Sequence, residues 1–251
     1  MKLQMSPKLV RYTLKFAFRV LVFASVLVLY FRDRQWITDF LTRPYRYGVT
    51  VLHVLWALFM WIMLMHLLPG RFRQRTMAWL KMKPEHYAPM QDYDELALLR
   101  YVQHQNRKAW QVMLVWLCFN AVWGALYLTG VIREAELLLL TAFYFLSDYI
   151  CILLYCPFQS RIMGNKCCVN CRIYDWGHFM MFTPMLFIRS FFTWSLFFTS
   201  VVVLIHWEIT YTGHPERFWE GSNRNLKCEN CRDQTCQYKR AIAAGTSRRG
   251  G

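Results

Sequence analysis

Six of the nine cysteines in this 251-residue chain lie in two short packets. The first packet, residues 165–171, reads NKCCVNC, and the second packet, residues 227–236, reads KCENCRDQTC. Each contains a Cys-x-x-Cys pair, Cys168 with Cys171 and Cys228 with Cys231. Two thiolates at this spacing can bind one ion, and two such pairs make a four-sulfur site suited to zinc or iron.

The spacing therefore predicts one cysteine-ligated centre that joins the two packets. We expect either an iron–sulfur cluster or zinc, and the spacing does not choose between them. The stretch between the pairs is longer than in a usual zinc ribbon, so the pairing is suggestive rather than specific. Disulfide bonding, thiol redox chemistry and unrelated surface thiols are the competing interpretations. The expected ligands are Cys167, Cys168, Cys171, Cys228, Cys231 and Cys236.

Long apolar blocks make up most of the chain that must position these thiols. Hydrophobic residues account for 56% of the composition, and about 20 helical residues cross the hydrocarbon core of a membrane. The sequence predicts an all-α integral membrane protein with about five transmembrane helices. The expected spans lie near residues 14–31, 48–68, 110–132, 135–156 and 179–207.

Two features complicate this simple arrangement of spans. The last block is too long for one crossing and contains Pro184 and Arg189, so we expect it to be kinked or re-entrant. A surface helix is expected near residues 92–108, from apolar residues at helical spacing. The chain then divides into a transmembrane domain, residues 1–207, and a cysteine-containing polar tail, residues 208–251, whose end is expected to be disordered.

The net charge of +15 is the kind of balance that also occurs in nucleic-acid-binding proteins. We expect no nucleic-acid partner, because the basic residues lie mainly between the apolar blocks and no recognition motif accompanies them. Lys and Arg concentrate on the cytoplasmic side of membrane proteins. This predicts a protein of the cell inner membrane with its N terminus and first packet in the cytoplasm. Five crossings would place the basic tail outside, whereas a re-entrant or six-pass arrangement would place it inside.

Charged side chains and histidines inside the apolar blocks are further candidates for chemistry. Asp148 and Arg189 are predicted to pair within the membrane, as a proton or anion relay or as a static bridge. Asp175 and His178 follow the first packet and are expected either to form a polar site with the thiols or to mark a helix start. His66 with His178 is the pair considered for a haem b, which is the weaker expectation beside interfacial histidines.

The leading functional hypothesis is electron transfer to or from a membrane-soluble partner, or service as a subunit of a larger redox complex. One alternative is a non-enzymatic membrane scaffold or transporter-like protein with a structural zinc site. Another is a membrane thiol–disulfide oxidoreductase. Membrane lipids and other membrane or redox subunits are the expected partners, and the sequence leaves open whether the protein is an enzyme.

Overall fold

The computed structural model describes residues 7–34, 48–68, 81–165 and 167–231, together with Cys236 and Lys239. The regular elements in these residues are all helical, with one isolated β-bridge between Pro89 and Asn223. The predicted disordered end of the tail lies outside the described residues. The α-helices are α1 (Pro7–Arg32), α2 (Val51–Leu67), α3 (Glu95–Leu128), α4 (Glu134–Leu153), α5 (Gly177–Phe182) and α6 (Phe191–Gly213).

Shorter helical turns connect these α-helices and shape the polar loops. A π-helical turn follows α4 at Phe158–Met163. The 3₁₀ turns are Pro84–His86, Arg172–Trp176, Thr183–Phe187, Pro215–Phe218, Arg224–Leu226 and Cys228–Asn230.

Four helices of the described chain are long and apolar enough to cross a membrane: Val10–Arg32 of α1, and α3, α4 and α6. The apolar helix α2 has 17 residues and is shorter than these four. Large apolar side chains cover the outer surface of the helices, where lipid would solvate them without the free-energy cost that water imposes. Examples are Leu14, Phe18, Val28, Trp61, Trp110, Phe198 and Ile209. The structure is therefore that of an all-helical membrane protein.

Helix α3 joins two elements that the sequence predicts as separate. The expected surface helix near residues 92–108 and the span near 110–132 form one helix of 34 residues, which is about 51 Å long at a rise of roughly 1.5 Å per residue. Asp94 caps its start by accepting a hydrogen bond from the Leu96 amide at 2.8 Å. The polar stretch in the middle contains no proline to break the helix, so the helix continues through it.

The last apolar block folds back on itself, as the sequence predicts. The chain is extended at Ile188 and Ser190, between the turn Thr183–Phe187 and α6. The segment before this break runs antiparallel to α6: the Trp194 indole donates to the Leu186 carbonyl at 3.1 Å, and the rings of Phe179 and Phe197 lie 6.2 Å apart. The block as a whole therefore starts and finishes at the same end of the bundle.

Pairing of the other helices defines the two ends of the bundle. Helix α1 runs antiparallel to α4, with ring contacts from Tyr12 to Tyr149 and from Phe23 to Phe143. Helix α2 runs parallel to α6, since the Trp56 indole donates to Ser195 near the start of both helices at 2.7 Å. One end of the bundle holds the starts of α1 and α3, the last turns of α2, α4 and α6, and the first packet. We call this end the cysteine end.

Arg172 ties the end of α6 to the residue that follows the first packet. Its guanidinium is buried and donates to Glu208 on α6 and to Asn106 on α3. The Trp207 indole donates to the Arg172 carbonyl at 2.7 Å, and the Trp176 indole donates to Glu208 at 2.9 Å. Because charge-assisted hydrogen bonds are the stronger ones, this group holds the fold-back of the last block in place.

Replacing Gly124 with alanine tests the packing of the folded-back limb on α3. A Cβ at Gly124 would lie 2.2 Å from the ring of Phe187. We expect Gly124→Ala to lower the free energy of unfolding by about 1–3 kcal/mol, as overpacked cores do. Gly213→Ala is the matched control, because nothing lies within 4 Å of its added Cβ. Thermal unfolding in detergent measures both variants, and equal midpoints would contradict the contact.

Candidate thiol site at the cysteine end

Local hydrogen bonds determine the shape of the first packet. Gly164 adopts the left-handed conformation, with φ +64, and ends the π-helical turn. The side-chain amide of Gln159 donates to the Asn165 carbonyl at 3.0 Å, and the Asn165 amide donates to the Gln159 carbonyl at 3.0 Å. The Cys171 amide donates to the Cys168 carbonyl at 3.1 Å. The Cys-x-x-Cys segment of this packet is therefore a tight turn anchored to Gln159.

The buried side chain of Lys81 forms hydrogen bonds with this turn. The Lys81 ammonium donates to the carbonyl of Val169 and, at 3.2 Å, to that of Cys171. It also lies over the rings of Trp207 and Phe218, at 5.5 and 5.4 Å from their centroids. Burial lowers the pKa of Lys81 to about 8. The sequence contained no signal for this role, because Lys81 is one basic residue in a basic loop.

Residues of the second packet and of the tail lie against the first packet. Val169 and Leu226 form a small buried cluster against which Cys167 and Cys231 pack. From the tail, the Lys239 ammonium donates to the Cys168 sulfur at 3.0 Å, to Gln159 Oε1 at 3.0 Å and to the Cys151 carbonyl at 2.8 Å. Thiols that are distant in sequence thus lie together at the cysteine end.

Burial favours the protonated form of the three thiols of the first packet. It raises the pKa of Cys167 to about 11 and that of Cys171 to about 12, and it also raises the pKa of Cys168 although Lys239 opposes the shift. Cys168, Cys236 and Cys231 are close enough to raise the pKa of Cys167 further. A metal ion would therefore have to displace protons in order to bind here.

The structure separates the six expected ligands into two groups. Cys167 and Cys231 pack against one small cluster and Cys168 contacts Lys239, whereas Cys171 is buried in the main core and Cys228 is exposed. Among the residues that the structure describes, no three Cys, His, Asp or Glu side chains stand in positions to hold a metal ion. The six cysteines are thus gathered at one end, but they do not form one preassembled cage.

Two further thiols, Cys151 and Cys156, lie at the same end, at the close of α4. The sequence indicates only a small core residue for Cys151, and Cys156 precedes a proline. The Cys156 sulfur accepts a hydrogen bond from the Gln159 amide at 3.4 Å. The Cys151 thiol and this amide lower the pKa of Cys156, with Cys151 contributing most.

The predicted pairing of Asp148 with Arg189 is wrong. Asp148 Oδ2 instead lies 2.7 Å from Nη1 of Arg19 on α1. The Arg19 guanidinium also donates to the Phe145 carbonyl at 2.5 Å and lies 4.1 Å from the centroids of the Phe145 and Tyr149 rings. Arg189 is exposed at the break that precedes α6. Because the block folds back there, Arg189 lies at the end of the bundle opposite the cysteine end.

His66 joins Asp175 and His178 in a polar cluster at the cysteine end. The His66 Nδ1 atom donates to the Ile62 carbonyl at 2.8 Å, and its Nε2 atom lies 3.6 Å from Asp175 Oδ1. The rings of His66 and His178 are in direct contact, with centroids 4.6 Å apart. The two histidines considered for a haem b are therefore side by side in this cluster.

Comparison of the chain with protein-family models, curated proteins and solved structures gives no match. The chemistry of the cysteine end is therefore the basis for a functional proposal.

Neutral variants test the ion pair of Arg19 and Asp148. We expect Arg19→Met to destabilise the protein by about 2.5–3.5 kcal/mol, because Asp148 would be an unpaired charge within the membrane. The double variant Arg19→Met/Asp148→Asn should recover part of the loss. Arg189→Met is the control and should change the unfolding midpoint little. A larger effect of Arg189→Met than of Arg19→Met, in the same detergent unfolding assay, would contradict the observed pairing.

Thiol alkylation at different pH values tests the protonation of the cysteine end. Thiolate is the reactive form, so Cys156, with its lowered pKa, should react with iodoacetamide at lower pH than Cys167, whose pKa is about 11. Both side chains are partly exposed, which makes them a fair comparison. Pulse labelling of the folded protein followed by peptide mass spectrometry gives each rate. Coinciding pH profiles would contradict the described environments.

Proposed function

We propose that this chain is an inner-membrane protein whose cysteine end binds a metal or iron–sulfur centre and transfers electrons to or from a membrane-soluble partner or another redox subunit. The observation that carries the proposal is the packing of Cys167, from the first packet, and Cys231, from the second packet, against the cluster of Val169 and Leu226. Four sulfurs from two packets match the number of thiolates that zinc sites and iron–sulfur clusters use.

Binding would assemble this centre from thiols that are close together but not yet in coordination positions. Structural metal sites form together with the fold, and their thiols lose protons as the metal binds. Lys239, whose ammonium lies 3.0 Å from the Cys168 sulfur, favours the thiolate form of that residue. The ligand set best supported by these contacts is Cys167, Cys168, Cys231 and Cys236, with Cys171 and Cys228 outside it.

A six-crossing arrangement, with the cysteine end in the cytoplasm, accounts best for the distribution of charge. In this arrangement α1, α2, α3, α4, the limb 172–187 and α6 each cross the bilayer. The described parts of the two Lys- and Arg-rich stretches, residues 81–108 and 208–231, both adjoin the cysteine end, as the excess of positive charge on the cytoplasmic side requires. The fold-back of the last block removes the conflict that five crossings would create for the basic tail.

The cluster of His66, Asp175 and His178 supports a redox role because it supplies groups that exchange protons near the thiols. Electron transfer to a membrane-soluble carrier is commonly accompanied by proton uptake, and these three side chains lie between the first packet and the membrane-spanning part of α2. Asp148 is paired with Arg19, and Arg189 is at the opposite end, so we propose no relay through those two residues.

A structural zinc site in a non-enzymatic scaffold or transporter-like protein is the second candidate. The cluster of Val169 and Leu226, with Cys167 and Cys231 against it, already joins the first packet to the second. A zinc ion at this point would strengthen that connection without any electron transfer. The two candidates share ligands and differ in the metal and its redox behaviour.

Anaerobic purification of the full chain in detergent, followed by metal analysis and a visible spectrum, tests the proposal. We expect iron with visible absorption that bleaches on reduction. Ser variants of Cys167, Cys168, Cys231 and Cys236 should each lose most of the metal, whereas Cys118→Ser and Cys228→Ser should retain it. A colourless protein with one zinc per chain would establish the structural candidate. A protein without stoichiometric metal would overturn both.

A further inference from the structure

Three basic side chains gather where the π-helical turn Phe158–Met163 packs on α3. The Lys108 ammonium on α3 donates to the Met163 carbonyl of the turn at 3.1 Å. Arg107 precedes Lys108 on the helix, and Arg161 lies two residues before Met163 in the turn. One contact between two elements therefore brings three positive charges to the same part of the surface. We call Arg107, Lys108 and Arg161 the basic site.

The two arginines of the basic site have no carboxylate beside them in the sequence of either element. Both are exposed, and the ion pairs found among the described residues use other cations. Helix α3 contains no Asp or Glu after its first residue, Glu95, and residues 149–174 contain none. Because no acidic side chain of these two segments offsets the positive charge, the basic site attracts anions.

The basic site adjoins a lipid-facing apolar surface of α3. Trp110, Leu114 and Val115 are all exposed large apolar residues of this helix. At about 100° per residue, Leu114 lies two turns from Arg107 on the same face. Trp side chains concentrate where membrane meets water, and Trp110 is about 4.5 Å along the helix axis from Arg107 at a rise of roughly 1.5 Å per residue. The basic site is therefore at the height of the lipid headgroups.

We infer that the basic site binds the headgroup of an anionic phospholipid, such as phosphatidylglycerol. Arg107 and Arg161 donate to the phosphate oxygens, since a guanidinium offers paired donors that match them. Lys108 adds a third positive charge, and an acyl chain lies along α3 at Leu114. This inference goes beyond the proposed metal centre, because none of the three basic residues belongs to its ligand set.

Two features of the surface favour an anionic lipid over other phosphate compounds. A zwitterionic phospholipid carries the same phosphate together with an ammonium group, which the three positive charges would repel. A soluble phosphate or a nucleic acid would meet the positive charges only, whereas a lipid also covers the apolar surface around Leu114. The basic site should therefore discriminate among lipids by their net charge.

Photo-crosslinking of the delipidated full chain in detergent tests the inference. The probe is phosphatidylglycerol with a diazirine in one acyl chain, and tryptic peptides are analysed by mass spectrometry. Cleavage after Lys108 and Arg133 releases residues 109–133, and cleavage after Arg189 and Arg217 releases residues 190–217 of α6 as an internal reference. We expect stronger labelling of 109–133 than of 190–217. Unlabelled phosphatidylglycerol should compete for the excess far better than phosphatidylcholine does.

Paired variants assign the binding to the basic site. Arg107→Gln/Arg161→Gln should raise the probe concentration needed for half-maximal labelling of 109–133 by about fivefold for each charge removed, as for basic residues beside anionic lipid. Arg11→Gln/Arg224→Gln is the matched control, because it removes the same charge from exposed arginines at the cysteine end that lie on neither α3 nor the π-helical turn. It should leave labelling unchanged. Gel filtration establishes that each variant remains folded.

The inference fails under any of three results. The first is equal competition by phosphatidylcholine and phosphatidylglycerol, which would show unselective lipid contact. The second is the same concentration dependence in Arg107→Gln/Arg161→Gln as in the unmodified protein. The third is displacement of the probe by inorganic phosphate or a single-stranded oligonucleotide at matched ionic strength, which would assign the site to a soluble anion. Metal content does not enter the readout, so these results are separate from failure of the proposed function.

Discussion

The buried bridge from Arg172 to Glu208 and Asn106 is the interaction on which the cysteine end depends. It joins the residue that follows the first packet to the end of α6 and to α3. A buried guanidinium is costly to remove from water, and that cost is offset only when its donors meet well-placed acceptors. With the bridge formed, the last apolar block must return to the end from which it started. The second packet, which follows α6, is thereby brought to the first.

The same end of the molecule holds positive charge beside protonated thiols. Lys81 is fully buried and bonded to two carbonyls of the first packet, and Lys239 contacts the Cys168 sulfur. Either ammonium would be attracted to thiolates, so a metal that drew protons from the thiols would find compensating charges already in place. Lys239 opposes the effect of burial on the pKa of Cys168, and Lys81 opposes it on the pKa of Cys171.

The ion pair of Arg19 and Asp148 shows how the membrane-spanning part accommodates charge. Asp148 lies close to α5, where a Cβ added to Gly177 would come within 3.0 Å of its Oδ1 atom. Glycine at this position leaves the carboxylate room to face Arg19 across the α1–α4 contact. The aromatic rings of Phe145 and Tyr149 also lie 4.1 Å from the guanidinium carbon, so ring faces as well as the carboxylate stabilise its charge.

The sequence by itself determined the class of the molecule, because apolar blocks and helix length are local properties of the chain. It also indicated that the last block, which contains Pro184 and Arg189, is kinked or re-entrant. Only the tertiary structure decided that Asp148 meets Arg19 rather than Arg189, and that the surface helix and the third span are one helix. It likewise decided that Cys167 and Cys231 pack against the cluster of Val169 and Leu226, while Cys171 is buried in the main core and Cys228 is exposed. The reason is physical. Contacts between side chains on different helices depend on how the whole bundle folds, and the spacing of residues along the chain does not determine which helix faces pack together.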